Sequence, residues 1–249
     1  MTIFFQDAYS ILWADLRYLS RDWKRTFLTS LISPVLYLVA FGFGLGRSVD
    51  IGGGSYLAFV IPGIIALSCM NSSFNGAGMR LNVDRLFYKS FDELLMTPMS
   101  LNSIIMGKAS VGVLRGLITT TPLIIGGMFL APELSISWEF ILSLLISLSV
   151  FSLLGVLAAF MARSHQDMST FSTLIILPMT FLCGTFFSID KVPEFLKWFL
   201  YVLPLTHTSQ ILRAGAMDTA FPWLSVLVLA MFGAVFFGLT YSRVKKLSI

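Results

Sequence analysis

Side chains able to do chemistry are few in this chain and widely spaced. The only two histidines, His165 and His207, lie 42 positions apart on opposite predicted sides of a membrane, too far apart for a shared metal site, and no His-Glu-x-x-His occurs. A phosphate cradle needs Gly-x4-Gly-Lys-Ser/Thr. The stretch Asn102 to Ala109 contains Gly107-Lys108 but lacks the first glycine and the hydroxyl residue. Composition leaves a Ser/His/Asp set open, yet there is no Gly-x-Ser-x-Gly elbow to present the serine, and His207 reads as a polar interfacial residue. Every Asp and Glu falls in a predicted loop or surface helix, so the acidic groups that ion-coupled carriers place within their spans are not expected here. Arg115 is the one cation near or within an apolar run. It reads either as a snorkelling side chain close to the inner interface or as an attachment point for an anionic substrate or lipid headgroup. The chain is therefore expected to be no enzyme and to bind no metal or cofactor of its own.

The elements that must carry these residues are set by composition. Apolar residues make up 56% of the chain and charged ones 12%, against roughly 25% charged in a soluble domain. About 20 apolar helical residues cross a hydrocarbon core of roughly 30 Å. Uncharged runs of suitable length occur at Thr26–Gly46, Ile51–Met79, Gly116–Pro132, Phe140–Ala162, Met168–Ile189 and Thr219–Ser242, which predicts six spanning helices in one all-α membrane domain over residues 1–249. A seventh run, Trp198–Leu212, is short and holds Pro204 and His207. It reads as a re-entrant or interfacial piece within an outer segment over 188–213.

Charge fixes the expected orientation. With both termini cytoplasmic, twelve Lys and Arg fall inside and only Arg47, Lys191, Lys197 and Arg213 outside. The net charge of +4 is thus a topology signal and not a nucleic-acid patch. The first 25 residues lack the apolar core of a signal peptide; Phe5, Tyr9, Leu12, Leu16, Leu19 and Trp23 instead predict an amphipathic helix in the cytoplasmic interface. Cys69 and Cys183 both fall in apolar spans and read as small packing residues. Gly112 and Gly116 have the small-xxx-small spacing that lets two helices approach closely.

The longest charged interruption is Asp84 to Ser100, within an inner segment over 82–100. A helical wheel puts Phe87, Tyr88, Phe91, Leu94 and Leu95 on one face and Arg85, Lys89, Asp92 and Glu93 on the other, with Pro98 as the stop. A two-faced helix between two spans must lie on the membrane surface or dock on something outside. The N-terminal helix already supplies an interfacial element, so docking is the better reading.

These residues resemble the permeases of type-2 ABC exporters, in the drug and nodulation-factor branch. The resemblance rests on the amphipathic N-terminal helix; on Tyr56 with Phe59-Val60-Ile61-Pro62-Gly63; and on Asp92-Glu93-Leu94-Leu95-Met96-Thr97-Pro98 followed by Gly107-Lys108. It also rests on Leu177-Pro178, Gly184-Thr185-Phe186-Phe187, Val192-Pro193, Trp198, Leu203-Pro204-Leu205 and Leu212-Arg213. These cover nearly the whole chain in the family's order. One departure is Lys89-Ser90-Phe91, where many relatives carry glycine or small polar residues.

The resemblance implies a bacterial inner-membrane permease working as a homodimer, each copy paired with a separate cytoplasmic ATPase that binds the ATP and Mg. The 82–100 segment would be the coupling helix, with Arg85, Phe87, Phe91, Asp92, Glu93, Leu94, Leu95, Thr97 and Pro98 at the contact. Outer helices over 188–213 would cap a path for an amphipathic or lipid-linked substrate. Asn71, Phe74, Asn75 and Arg115, with Phe181 and Phe186, are the candidate path residues. The 23 Phe and 12 Met would suit a lipophilic cargo if they lined that path, though they read more simply as lipid- and helix-facing residues. The competing expectations are an ion-coupled secondary transporter or channel, and an intramembrane enzyme.

Overall fold

The computed structural model describes residues 2–21, 23–45, 55–187, 189 and 192–247, and every regular element among them is helical. Helices α1 (Thr2–Arg21) and α2 (Trp23–Tyr37) come first, and α2 runs on through a π-helical segment, Leu38–Leu45. The long α3 (Tyr56–Leu86) leads through a turn to the short α4 (Ser90–Leu95) and then to α5 (Leu101–Leu130) and α6 (Trp138–Met161). A broken helix follows: α7 (His165–Phe171), a π turn over Ser172–Ile176, and α8 (Leu177–Leu182). Helices α9 (Glu194–Tyr201), α10 (Pro204–Met217) and α11 (Trp223–Leu247) complete the chain.

Among the described residues four helices, α3, α5, α6 and α11, are long and apolar enough to cross a membrane. At about 1.5 Å per residue, even the 24 residues of α6 exceed the roughly 30 Å hydrocarbon core. Two of the six expected spans take a different form. The run Thr26–Gly46 is a shorter apolar helix, Phe27–Gly42, that loosens into a π turn; Gly46 lies outside the described residues. The run Met168–Ile189 is the broken α7–α8 helix, with Ser188 outside the described residues. Pro178 supplies the reason. It has no N–H for the carbonyl of Leu174, and its ring crowds that carbonyl, so the turn just before it widens to the π register. Ile51 to Gly54, the expected start of the second span, also lie outside the described residues.

Helix α3 is the central element, buried over most of its length between α5 and α6. Missing side chains permit this closeness. A methyl on Gly112 of α5 would come within 2.6 Å of the Ser73 carbonyl of α3, and one on Gly155 of α6 would collide with the Phe74 carbonyl. The Gly112/Gly116 seam expected from spacing is thus present, with Gly116 against Ser73 and Leu148. Cys69 and Cys183 are both buried free thiols.

The two ends of the bundle differ. At the terminal end, Ile11 of α1, Phe91 of α4 and Val244 of α11 join Leu81, Ile104 and Phe160 in one buried cluster. At the distal end, the 131–137 connection lies against the end of α10: the Ser135 N–H donates to Ala216 O at 2.9 Å, and the Ser137 hydroxyl to Gly215 O at 2.9 Å.

The interruption expected as one amphipathic helix over Asp84 to Met96 is instead two pieces. Helix α3 ends at Leu86, Phe87 and Tyr88 form a turn, and Lys89 takes a left-handed conformation (φ 53°) before α4 begins at Ser90. Phe87 and Tyr88 therefore leave the apolar face that the wheel assigned them, and both are 67% exposed.

Candidate functional site

At the terminal end a charge cluster ties three elements together. Lys108 on α5 places Nζ 2.8 Å from Asp15 Oδ2 on α1 and 2.9 Å from Asp84 Oδ2 on α3. Arg80, one turn before Asp84, closes the set at 3.2 Å from Asp84 Oδ1 and 3.8 Å from Asp15 Oδ1. Two cations and two carboxylates balance, which is the condition for keeping charges buried. The cluster corrects one expectation: Asp84 is a buried carboxylate on a long apolar helix, not a loop residue. Helix α1 docks on α5 through Ile11, packed against Gly107, with Asp15 one turn on. Tyr9 and Trp13 stack on each other on its exposed side, at 6.4 Å between ring centroids.

Next to this cluster stands a knuckle formed by residues 87–98, which separates the expected coupling residues into two groups. Phe91 is 1% exposed and meets Phe160 edge-on at 5.1 Å; Leu94 and Leu95 pack against the same buried cluster. Arg85 lies over the same Phe160 ring, 5.9 Å from its centroid, and its guanidinium donates to Ala159 O at 2.7 Å and to Ala162 O, closing the carbonyl end of α6. Thr97 ends α4 with a hydroxyl bond to Leu94 O at 2.6 Å. The outward surface is made by Phe87, Tyr88, Asp92, Glu93, Met96 and Pro98. Arg85, Phe91 and Thr97 therefore build the knuckle, and the other group shows its surface.

At the distal end, motifs more than a hundred positions apart in the chain meet. The segment after α8 crosses α3 by backbone contact at Gly63, where a methyl would collide with the Thr185 carbonyl. The Tyr56 hydroxyl donates to Phe186 O at 3.1 Å. From α10, Arg213 donates Nε to Phe59 O at 3.3 Å and Nη2 to Gly184 O at 3.1 Å, with its guanidinium 3.6 Å above the Phe59 ring. Gly184 adopts φ +68°, a conformation that favours glycine. His207 is buried within the protein, held by Tyr201 O at 2.9 Å and Ser225 Oγ at 3.2 Å.

Between the two ends, α2, α3, α5 and the broken α7–α8 helix surround a cavity of about 380 Å³. Asn71, Asn75 and Arg115 line it, together with Tyr37, Ser72 and Thr180. The other three candidate path residues do not. Phe74 is fully buried and stacked on Phe171 at 5.7 Å, Phe186 is stacked on Phe41 at 4.0 Å, and Phe181 is half-exposed beside Phe186. No Phe or Met is among its lining residues, and its surface is shared between polar groups and aliphatic carbon. Arg115 lies at the midpoint of α5, its stem packed on Gly76. The hydroxyl residues from the π turn, Ser172 and Thr173, carried no signal in the sequence, because only the widened turn brings them to the cavity. The start of α7 is fixed by the Arg163 N–H donating to Asp167 Oδ2 at 2.9 Å and the Ser164 hydroxyl accepting from Asp167 N–H.

Helices apolar and long enough to cross a membrane, together with a balanced set of buried charges, are the features of an integral membrane protein. A family model described as "ABC-2 type transporter" matches residues 6–217, and the chain belongs to that family. It is similar to the inner membrane transport permease YadH of Escherichia coli strain K12, at 28% identity over 235 residues, covering 90% of this chain and 91% of that protein. It is also similar to nodulation protein J of Bradyrhizobium diazoefficiens, 28% identical over 209 residues (79% of this chain, 77% of that protein). Nodulation protein J of Rhizobium meliloti is 27% identical over 203 residues, covering 77% of this chain and 75% of that protein.

Proposed function

We propose that this chain is the membrane subunit of an ATP-driven exporter, with the 87–98 knuckle as the surface on which a separate cytoplasmic ATPase subunit docks. The observation that carries this reading is the knuckle's division of labour. Phe87 and Tyr88, each 67% exposed, and Met96, 87% exposed, stand beside the acidic pair Asp92 and Glu93, while Phe91 anchors the whole turn inward. A rigidly held aromatic pair with flanking charge matches the makeup of a protein-binding hot spot. The terminal end then faces the cytoplasm, in keeping with the basic residues near both termini. Counting α2 with its π turn and the broken α7–α8 helix as crossings restores six passes. A second copy of the chain completes the path, capped by α9 and α10, for an amphipathic or lipid-linked substrate. ATP and Mg belong to the ATPase.

The test is co-expression with a candidate ABC ATPase subunit from the same genome. A stable complex with vanadate-sensitive ATPase activity supports the reading. Absence of both a complex and such activity overturns it.

The buried Asp84 and Asp15 give the ion-coupled carrier a specific observation in its favour, since acidic groups inside membrane helices often mark ion paths. Their geometry points elsewhere. Both carboxylates are held by Lys108, with Arg80 alongside, in a balanced set at the end of the helices and away from the cavity residues. Uptake or efflux that continues after ATP depletion and follows an imposed ion gradient would favour the carrier.

A further inference from the structure

The cavity between α2, α3, α5 and the broken α7–α8 helix has a composition that specifies its ligand. Twelve of its sixteen lining residues carry polar side chains, whereas a site for purely apolar molecules is lined mostly by hydrophobic and aromatic groups. Among those lining residues Arg115 is the only charged one. Among the described residues, no carboxylate pairs with Arg115 and no side chain or carbonyl accepts a hydrogen bond from its guanidinium. A cation near the middle of a long apolar helix, facing a cavity and unpaired among the described residues, calls for an anion from outside.

The neighbouring groups add a second requirement. The Asn71 amide donates Nδ2 to Leu67 O at 3.1 Å, and Asn75 donates Nδ2 to Asn71 O at 2.9 Å. Only the NH2 end of each amide can donate to a carbonyl, so the oxygen ends remain as acceptors. Ser68 and Thr180 likewise use their hydroxyl protons on Ile64 O at 2.8 Å and Ile176 O at 2.9 Å, leaving lone pairs. Thr173, in the π turn, does the same with Ser169 O at 3.1 Å. These walls therefore offer one cation, Arg115, beside amide oxygens and hydroxyl lone pairs that are free to accept, while each asparagine also keeps a second N–H to donate. A ligand that uses both carries a negative group with hydroxyls next to it, since a hydroxyl can donate to these acceptors and accept from the remaining amide N–H groups. The π turn at Ser172–Ile176 forms part of this wall, consistent with the concentration of such turns at functional sites.

We infer that this cavity binds an anionic group flanked by hydroxyls, of the kind presented by a polyhydroxylated phospholipid headgroup or by a free sugar or polyol phosphate. Arg115 holds the anion, and Asn71 and Asn75 receive the hydroxyl protons. The inference rests on the exporter reading in that it names the chemistry of the group the path takes up. It does not depend on the ATPase, because binding is a property of the permease alone.

The experiment is native mass spectrometry of the full-length permease in detergent with short-chain lipids as probes. Dihexanoyl phosphatidylglycerol carries the anion and two hydroxyls, dihexanoyl phosphatidylmethanol the anion alone, and dihexanoyl phosphatidylcholine no net charge. The expected order is phosphatidylglycerol, then phosphatidylmethanol, then phosphatidylcholine, with about tenfold between the first and last, the size of one charge-assisted hydrogen bond. Arg115→Gln should remove the preference for the anion, and Arg115→Lys should retain part of it. Asn75→Leu should erase the advantage of phosphatidylglycerol over phosphatidylmethanol while leaving the charge preference. Glycerol 3-phosphate identifies the source: displacement of bound lipid assigns the site to free phosphates as well, and no displacement assigns it to lipid headgroups. Equal binding of all three lipids by the unmodified chain, or an unchanged preference in a folded Arg115→Gln variant, overturns the inference. Either outcome leaves the ATPase pairing untouched.

Discussion

Lys108 on α5 and Asp84 on α3 meet at 2.9 Å, both buried, and the same ammonium reaches Asp15 of α1 at 2.8 Å. One side chain thus fastens the N-terminal helix to two crossing helices at the end that also bears the knuckle. The balance of charge makes the set sensitive to single changes and tolerant of paired ones. Lys108→Met should destabilise the solubilised protein by about 3–5 kcal/mol, because it leaves two carboxylates sharing Arg80 in a buried place. Adding Asp84→Asn should recover a substantial part of that loss. Thermal melting of the two variants measures the coupling, and equal melting points for the single and double variants would contradict it.

The distal junction leads to a different prediction. Arg213 makes two carbonyl bonds from one planar fork while lying 3.6 Å from the Phe59 ring, and a lysine can reproduce neither the fork nor the stacking. Arg213→Lys should therefore behave as a loss and cost about 1.5–3 kcal/mol, in line with hydrogen bonds to a charged group. Melting of Arg213→Lys beside Arg213→Met checks this, with the two variants expected to fall close together.

Much of the architecture could be read from apolar run length. Helices α3, α5, α6 and α11 follow the hydropathy of the chain, and the Gly112/Gly116 seam follows from its spacing. What escaped depends on tertiary register. Asp15 and Lys108 are 93 positions apart in segments that look like surface, and only the docking of Ile11 on Gly107 brings them together. The Pro62-Gly63 and Gly184-Thr185 motifs were each visible, but their backbone contact was not. The wheel over Asp84 to Met96 failed because it assumed one unbroken helix, and the left-handed Lys89 turned Phe87 and Tyr88 away from Phe91. Among the candidate path residues, Asn71, Asn75 and Arg115 converge because they are polar within spans. Phe74, Phe181 and Phe186 carried no comparable signal, since an aromatic in a span packs equally well anywhere.

Close backbone crossings predict which small residues tolerate a methyl. At Gly63 and Gly155 the obstructing atoms are carbonyl oxygens of Thr185 and Phe74, so the backbone itself must shift. Alanine at either position should cost about 1–3 kcal/mol through overpacking. Gly126 has nothing within 4 Å, and Gly126→Ala should be neutral or slightly stabilising through its better helix propensity. Yield and melting of the three variants, made in parallel, separate close contact from general intolerance of substitution.

The knuckle allows folding and coupling to be separated. Phe91→Ala removes a ring that is 1% exposed and packed on Phe160, so about 3–5 kcal/mol of stability should be lost and membrane yield should fall. Phe87→Ala with Tyr88→Ala removes two rings that are 67% exposed, and melting should hardly change. If the ATPase seats on this surface, that double variant should nevertheless lower complex recovery and uncouple ATP hydrolysis from transport. Charge reversal at Asp92 and Glu93 should do the same without disturbing insertion, because both side chains point outward from the first turn of α4. A knuckle serving only as a surface anchor predicts the reverse pattern: Phe91→Ala harmful, the outward variants silent in every coupling assay. The contrast between inward and outward residues one turn apart makes the measurement decisive, since a general folding defect would affect Phe91→Ala first.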